Sequence, residues 1–104
     1  MTRTIKPSEA KSIVKQALVV DVRRKSDYDS DSQKIPGAMW KDPEQVAQWS
    51  NELPQDKDIV IYCVRGGSVS NSVVDHLQGK NFKARFIEGG IEAWKKEGGP
   101  TVAK

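Results

Sequence analysis

The stretch from Asp58 to Gln78 constrains this chain more than any other. Asp58-Ile59-Val60-Ile61-Tyr62-Cys63 is a nearly unbroken apolar run, rich in β-branched residues, and reads as a strand buried on both faces. Val64-Arg65-Gly66-Gly67-Ser68 follows at once as a small-residue loop. From Ser68 to Gln78 the residues Val69, Val73 and Leu77 recur at every fourth position, which predicts a helix, with Gly79 placed to stop it. A buried strand therefore passes through a glycine turn into a helix, and the only cysteine of the chain, Cys63, lies at the strand's carboxyl end.

The same alternation recurs elsewhere. Leu18-Val19-Val20-Asp21-Val22 reads as a second buried strand and Phe82 to Ile87 as a third. Pro7-Ser8 leads into a first helix over 9–15, with Glu9 suited to its positive end. A short helix is expected around Tyr28. Ile35-Pro36-Gly37-Ala38 is a turn that feeds a short strand near Met39-Trp40. Asp42-Pro43 is an N-cap with proline at the first helical position, and Val46 and Trp49 share a face of the helix it opens. Glu88-Gly89-Gly90 is a tight loop, and 91–97 a last helix ending at Gly98-Gly99-Pro100. Strands alternating with helices predict an α/β domain, with a mostly parallel sheet and helices on both faces. Ligands of such sheets bind beyond the carboxyl ends of the strands, where Cys63 stands.

Size and composition narrow the function. A chain of 104 residues is one domain, 1–104, with room for one core. Trp40, Trp49 and Trp94 are expected in that core. A lone cysteine forms no internal disulfide, and no apolar signal core or membrane span is present, so the chain is read as cytoplasmic. The net charge of +3 is spread among carboxylates, a surface biased toward small anions rather than nucleic acid. One cysteine and one histidine, His76, are too few to hold a metal. No cofactor is expected, and His76 reads as an ordinary helix residue.

Cys63 is the candidate nucleophile. A thiol reacts as thiolate, and helix N-termini and nearby cations favour that form. Both are predicted around Cys63. Arg65 is the candidate for holding an anionic donor. Gly66 and Gly67 let the backbone turn inward, and Ser68 is placed to cap the helix or to donate its hydroxyl to an anion. Backbone N–H groups from Val64 to Ser68 would complete a semicircle of donors. The ordinary fate of a lone cysteine is inert packing; the Gly-Gly pair, the arginine and the helix weigh against it here. A cysteine-based phosphatase needs arginine six positions after its cysteine, and Val69 stands there. Asp21 and Arg23 either orient the loop or contact substrate, or, as is expected, make a structural ion pair or backbone hydrogen bonds at the strand end beside the site.

With these features together, the chain resembles the rhodanese (sulfurtransferase) family over nearly its whole length. Leu18-Val19-Val20-Asp21-Val22-Arg23, with Tyr28 and Ile35-Pro36-Gly37-Ala38 beyond it, is similar to the family's first signature. Cys63-Val64-Arg65-Gly66-Gly67-Ser68 is similar to its six-residue active-site loop, and Ile87-Glu88-Gly89-Gly90-Ile91-Glu92-Ala93-Trp94 to its C-terminal signature. Lys34 stands where many members have histidine, and Gly67-Ser68 where many have asparagine then arginine. The resemblance implies a rhodanese-like three-layer domain with a central five-stranded sheet. It also implies a thiosulfate sulfurtransferase without metal or cofactor: Cys63 takes sulfur from a small anionic donor as a persulfide and passes it to cyanide or to a thiol, including a protein thiol. The alternative within the same resemblance is a sulfur-relay module serving a protein partner or polysulfide. A phosphatase or arsenate reductase on this scaffold is disfavoured by Val69.

Overall fold

The structure is a computed structural model and describes residues 2–104. The elements in chain order are β1 (Thr4–Ile5), α1 (Pro7–Ile13), β2 (Leu18–Asp21), α2 (Lys25–Ser30), β3 (Gln33–Lys34), β4 (Met39–Trp40), α3 (Val46–Trp49), β5 (Asp58–Tyr62), α4 (Ser68–Gly79), β6 (Lys83–Ile87), α5 (Gly90–Lys96) and β7 (Val102–Ala103). Single 3-10 turns at Pro43–Gln45 and Ser50–Glu52 flank α3.

Five strands form one sheet in the order β1-β6-β5-β2-β4, every neighbouring pair parallel. Parallel neighbours need crossovers, and the helices supply them. The strands alternate their side chains between two apolar layers. Val20, Ile59, Ile61, Ala84 and Phe86 face α3 and α4, against Trp49, Val73, Val74 and Leu77. Val19, Val60, Tyr62 and Ile87 face α1 and α5, against Ala10, Ile91 and Trp94. The central β5 is buried from Ile59 to Tyr62, as its unbroken apolar run requires.

Several boundaries differ from the sequence reading, each for a physical reason. Pro7 is the first residue of α1 rather than its prelude, where its missing N–H costs nothing. Gly79 stays within α4. The stop is Asn81, with φ 69°: its N–H donates to Gln78 O and that of Phe82 to Leu77 O, closing the helix end. Ser68 does not cap α4; Gly67 is the N-cap residue and no side chain accepts from the first N–H groups of the helix. Asp42 does cap its turn, accepting the Glu44 N–H at 2.9 Å. Trp49 and Trp94 are buried, but Trp40 is only half-buried, because β4 lies at the open edge of the sheet. The antiparallel β3–β7 pair and the edge strand β1, two residues each, are additions to the pattern read from the sequence.

Candidate active site

β2 and β5 run side by side, with Asp21 opposite Tyr62, so their carboxyl ends emerge together. Beyond β5 lie Cys63 and the loop; beyond β2 lies Arg23. Between them is a cleft of about 480 Å³ lined by Cys63, Val64, Arg65, Gly67, Ser68 and Val69 on one side and by Arg23, Arg24 and Asp27 on the other. The structure thus brings Cys63, Val64, Arg65, Gly67 and Ser68 into one wall. Cys63 is 6% exposed, and the cleft is its access to solvent.

The loop is held from behind by α5. Ile91 N–H donates to Cys63 O at 2.9 Å and Glu92 N–H to Val64 O at 3.1 Å. The loop carbonyls at 63 and 64 therefore satisfy the otherwise free donors of the α5 start. Two glycines make this docking possible. Gly90 has φ 63°, and a Cβ there would lie 2.4 Å from Val64 O and 2.5 Å from Cys63 O. Gly66 has φ 69°, and its Cβ would meet Gly89 N and Ile87 O at 3.0 Å. Gly67 has a negative φ and nothing within 4 Å of a Cβ, so only the first of the paired loop glycines is required by geometry. Gly66 does not line the cleft; it faces the Gly89-Gly90 turn and sets the curvature of the loop.

Within the described chain, the backbone N–H groups of residues 64–69 donate to no carbonyl or side-chain oxygen. They include the first N–H groups of α4, whose positive end is directed at the loop. Unpaired donors bordering a nearly buried thiol can cradle an anion.

Arg65 is 80% exposed in its side chain, and its Nε donates to Glu92 Oε2 at 3.0 Å. The Glu92 hydrogen bond and charge hold its pKa above the ordinary value. Arg65 borders both the Cys63 cleft and a shallow depression over Gly89, Glu92, Ala93, Lys95 and Lys96. No local pattern marks Glu92 as its partner, because the two lie in different elements and meet only when α5 packs behind the loop.

Arg23 is different. It is 1% exposed, and each of its three guanidinium nitrogens is hydrogen-bonded. Nε lies 3.1 and 3.0 Å from the two Asp21 oxygens, and Nη2 donates to Asp21 Oδ2 at 2.7 Å and to Gln33 O at 3.1 Å. Nη1 donates to Asp31 Oδ2 at 2.9 Å. Asp21 also accepts from the Arg23 N–H and from Tyr62 Oη at 3.0 Å. Burial opposes the charge of Arg23, but Asp21 outweighs it and raises the pKa. Burial, with the Asp21 charge beside it, pushes the Tyr62 phenol up, so it stays neutral and donates. Burial alone would raise Asp31, yet hydrogen bonds from Lys95, the Gln33 N–H and Arg23 bring its pKa below the ordinary value. The ion pair is present, and it forms a wall of the cleft with most of its donors already used.

The Ile35-to-Ala38 turn closes that end. Ala38 N–H donates to Ile35 O at 3.0 Å, Gly37 takes φ 82°, and Lys34 Nζ donates to Ala38 O at 3.0 Å. Lys34 thus fastens the turn. His76 lies on α4 away from the cleft, half-buried. Among the described residues no three His, Cys, Asp or Glu side chains gather as a metal site, and no helix is long and apolar enough to cross a membrane.

Comparison with known proteins agrees with this geometry. Residues 6–97 match the family model of the rhodanese-like domain. The chain is 32% identical to the thiosulfate sulfurtransferase GlpE of Pseudomonas syringae, over 89% of this chain and 87% of that protein. It is 34% identical to the tRNA sulfurtransferase of Desulfurococcus amylolyticus over 84% of its own length, but spans only 17% of that much longer protein. In three dimensions it superposes on a rhodanese-related protein from Thermoplasma volcanium with a TM-score of 0.87, covering 99% of this chain and 100% of the other at 24% identity. The α/β sheet, the loop after β5 and these similarities lead to one assignment: the chain belongs to the rhodanese-like domain family.

Proposed function

We propose that this protein is a sulfurtransferase in which Cys63 carries the sulfur. The relatives named as sulfurtransferases support the general activity. The observation that carries Cys63 as the sulfur carrier is its nearly buried thiol at the cleft, beside backbone N–H groups at 64–69 that have no acceptor in the described chain.

The chemistry is a double displacement. The Cys63 thiolate attacks the outer sulfur of thiosulfate or a similar donor. The S–S bond of the donor breaks, sulfite departs with the bonding pair, and a Cys63 persulfide remains. The terminal persulfide sulfur bears negative charge and sits among the loop N–H groups, which need no reorganisation to receive it. Arg65, and the cations of Arg24 beside it, draw the anionic donor into the cleft. A nucleophile, cyanide or a thiol, then attacks the outer sulfur and releases Cys63 as thiolate. Neither step requires a metal, a cofactor or a second cysteine. The reaction suits a reducing compartment such as the cytoplasm, where Cys63 stays free.

The test is thiocyanate formation from thiosulfate and cyanide. The wild-type protein should turn over, and Cys63→Ser should lose at least about a thousandfold, as for removal of a nucleophile. Turnover retained in Cys63→Ser would eliminate the mechanism.

A further inference from the structure

A second depression opens beside the Cys63 cleft, and its chemistry is distinct. It holds about 360 Å³ and shares Arg24, Ser68 and Val69 with the cleft, so the two are continuous across the start of α4. Its outer rim carries both signs of charge: Arg24 and Lys25 from the start of α2, and Asp42 and Glu44 from the turn before α3. Val69, Val73 and Pro43 supply apolar surface beneath them. Ser68, a small side chain, stands at the junction and lines both depressions.

These groups are only partly committed. Lys25 Nζ reaches Asp29 at 3.2 Å, an exposed pair one helical turn apart. Asp42 Oδ1 accepts the Glu44 N–H at 2.9 Å. The Arg24 guanidinium and the Glu44 carboxylate have no hydrogen-bond partner among the described residues. A small dianion such as thiosulfate would gain from the cations but be repelled by two carboxylates, and it would not fill the space. A molecule with one ammonium, one carboxylate and a short apolar stem matches every part. The volume falls in the range of small-molecule sites.

We propose that this groove is the acceptor subsite, and that it takes a zwitterionic low-molecular-weight thiol, a cysteine-type amino acid or short peptide. Its carboxylate pairs with Arg24 and Lys25, its ammonium with Glu44 and Asp42, and its thiol reaches past Ser68 to Cys63. The proposal rests on Cys63 as persulfide carrier and adds the class of molecule that unloads it. The thiolate of the acceptor attacks the outer sulfur of the Cys63 persulfide. A new S–S bond forms on the acceptor, the Cys63 S–S bond breaks, and Cys63 departs as thiolate. The acceptor leaves as a hydropersulfide, and no external oxidant or reductant enters.

The experiment has two stages. The protein is first loaded with thiosulfate or, separately, with sodium polysulfide, and the added sulfur is read by intact mass. The loaded protein is then mixed with L-cysteine, 3-mercaptopropionate, cysteamine or 2-mercaptoethanol, and the second-order unloading rate is expressed per thiolate. L-cysteine should exceed each singly charged thiol by about fivefold, the scale of one rim ion pair, and 2-mercaptoethanol should be slowest. Glu44→Gln should shrink the ratio of L-cysteine to 3-mercaptopropionate, and Arg24→Gln the ratio of L-cysteine to cysteamine. Ratios taken within one variant cancel any change in loading. Equal rates for the four thiols, or ratios that neither variant moves, would overturn the subsite while leaving the persulfide carrier intact. Failure to load with either donor would overturn both.

Discussion

Two strand ends stand side by side in this protein and treat their polar groups in opposite ways. At the end of β2, every nitrogen of the Arg23 guanidinium has a partner: Asp21, Asp31 or the Gln33 carbonyl. At the end of β5, the N–H groups of 64–69 have none within the described chain, and the one loop cation is mostly exposed. Buried polar groups are costly unless paired, so the first end behaves as structure and the second as a site awaiting an anion. The lesson is that charge near a cleft is a poor guide to which residue binds. Arg23 lines the cleft as Arg65 does, yet each of its nitrogens is already bonded within the protein.

The largest expected effect breaks the closed end. Replacing Arg23 by methionine leaves Asp21 buried without its counter-ion and should cost about 3–5 kcal/mol of unfolding free energy, measured by urea titration. A loss below about 1 kcal/mol would show that the pair is not structural. The next disturbs the open end from behind. Gly90→Ala forces a left-handed alanine against the Cys63 and Val64 carbonyls; it should cost about 2 kcal/mol in stability. It should also lower transfer by about a hundredfold through displacement of the loop. Normal kinetics would show that the loop tolerates movement.

Smaller effects sharpen the contrast. Arg65→Ala should raise KM for anionic donors by about fivefold with little change in stability, since exposed pairs are worth little. Unchanged kinetics would mean that Arg65 serves only Glu92. Glu92→Gln tests the reverse: freeing Arg65 should lower that KM by about twofold, and a raised KM would show that Glu92 holds Arg65 in its binding position. At the closed end, the folded-state pKa of Asp31 is depressed, so its contribution is present above the unfolded value of about 3.9 and disappears as pH falls through the lower folded value. Asp31→Asn should remove about 1 kcal/mol at neutral pH and flatten the acid limb of the stability curve. An acid limb as steep as before would assign it to other carboxylates.

The frame of this molecule was legible because it depends on local pattern. The apolar runs of β2 and β5, the every-fourth-residue stripe of α4 and the Asp42-Pro43 cap each carry their physical cause within a few residues. What escaped depends on distant partners. β1 exists because Phe86 and Glu88 donate to the Arg3 and Ile5 carbonyls, and β3 exists because Val102 and Ala103 return to it. The half-exposure of Trp40 follows from the edge position of β4, which its own sequence does not encode. At the candidate site, the placement of Cys63 and its loop at a strand end was legible, while the Glu92 partner of Arg65 and the groove beside Ser68 arise only where α5 and the turn before α3 meet the loop. Asn81 shows a local limit as well: glycine is the commoner helix stop, so Gly79 drew the assignment that Asn81 holds.

The central claim is that the open end of β5 lets Cys63 hold a transferable sulfur. It is tested most directly by incubating the protein with thiosulfate, desalting it and measuring its intact mass, before and after cyanide. The expected result is a gain of about 32 Da, one sulfur held as a reversible persulfide, absent in Cys63→Ser and removed by cyanide. No gain in mass, or an adduct that persists in Cys63→Ser, would contradict it.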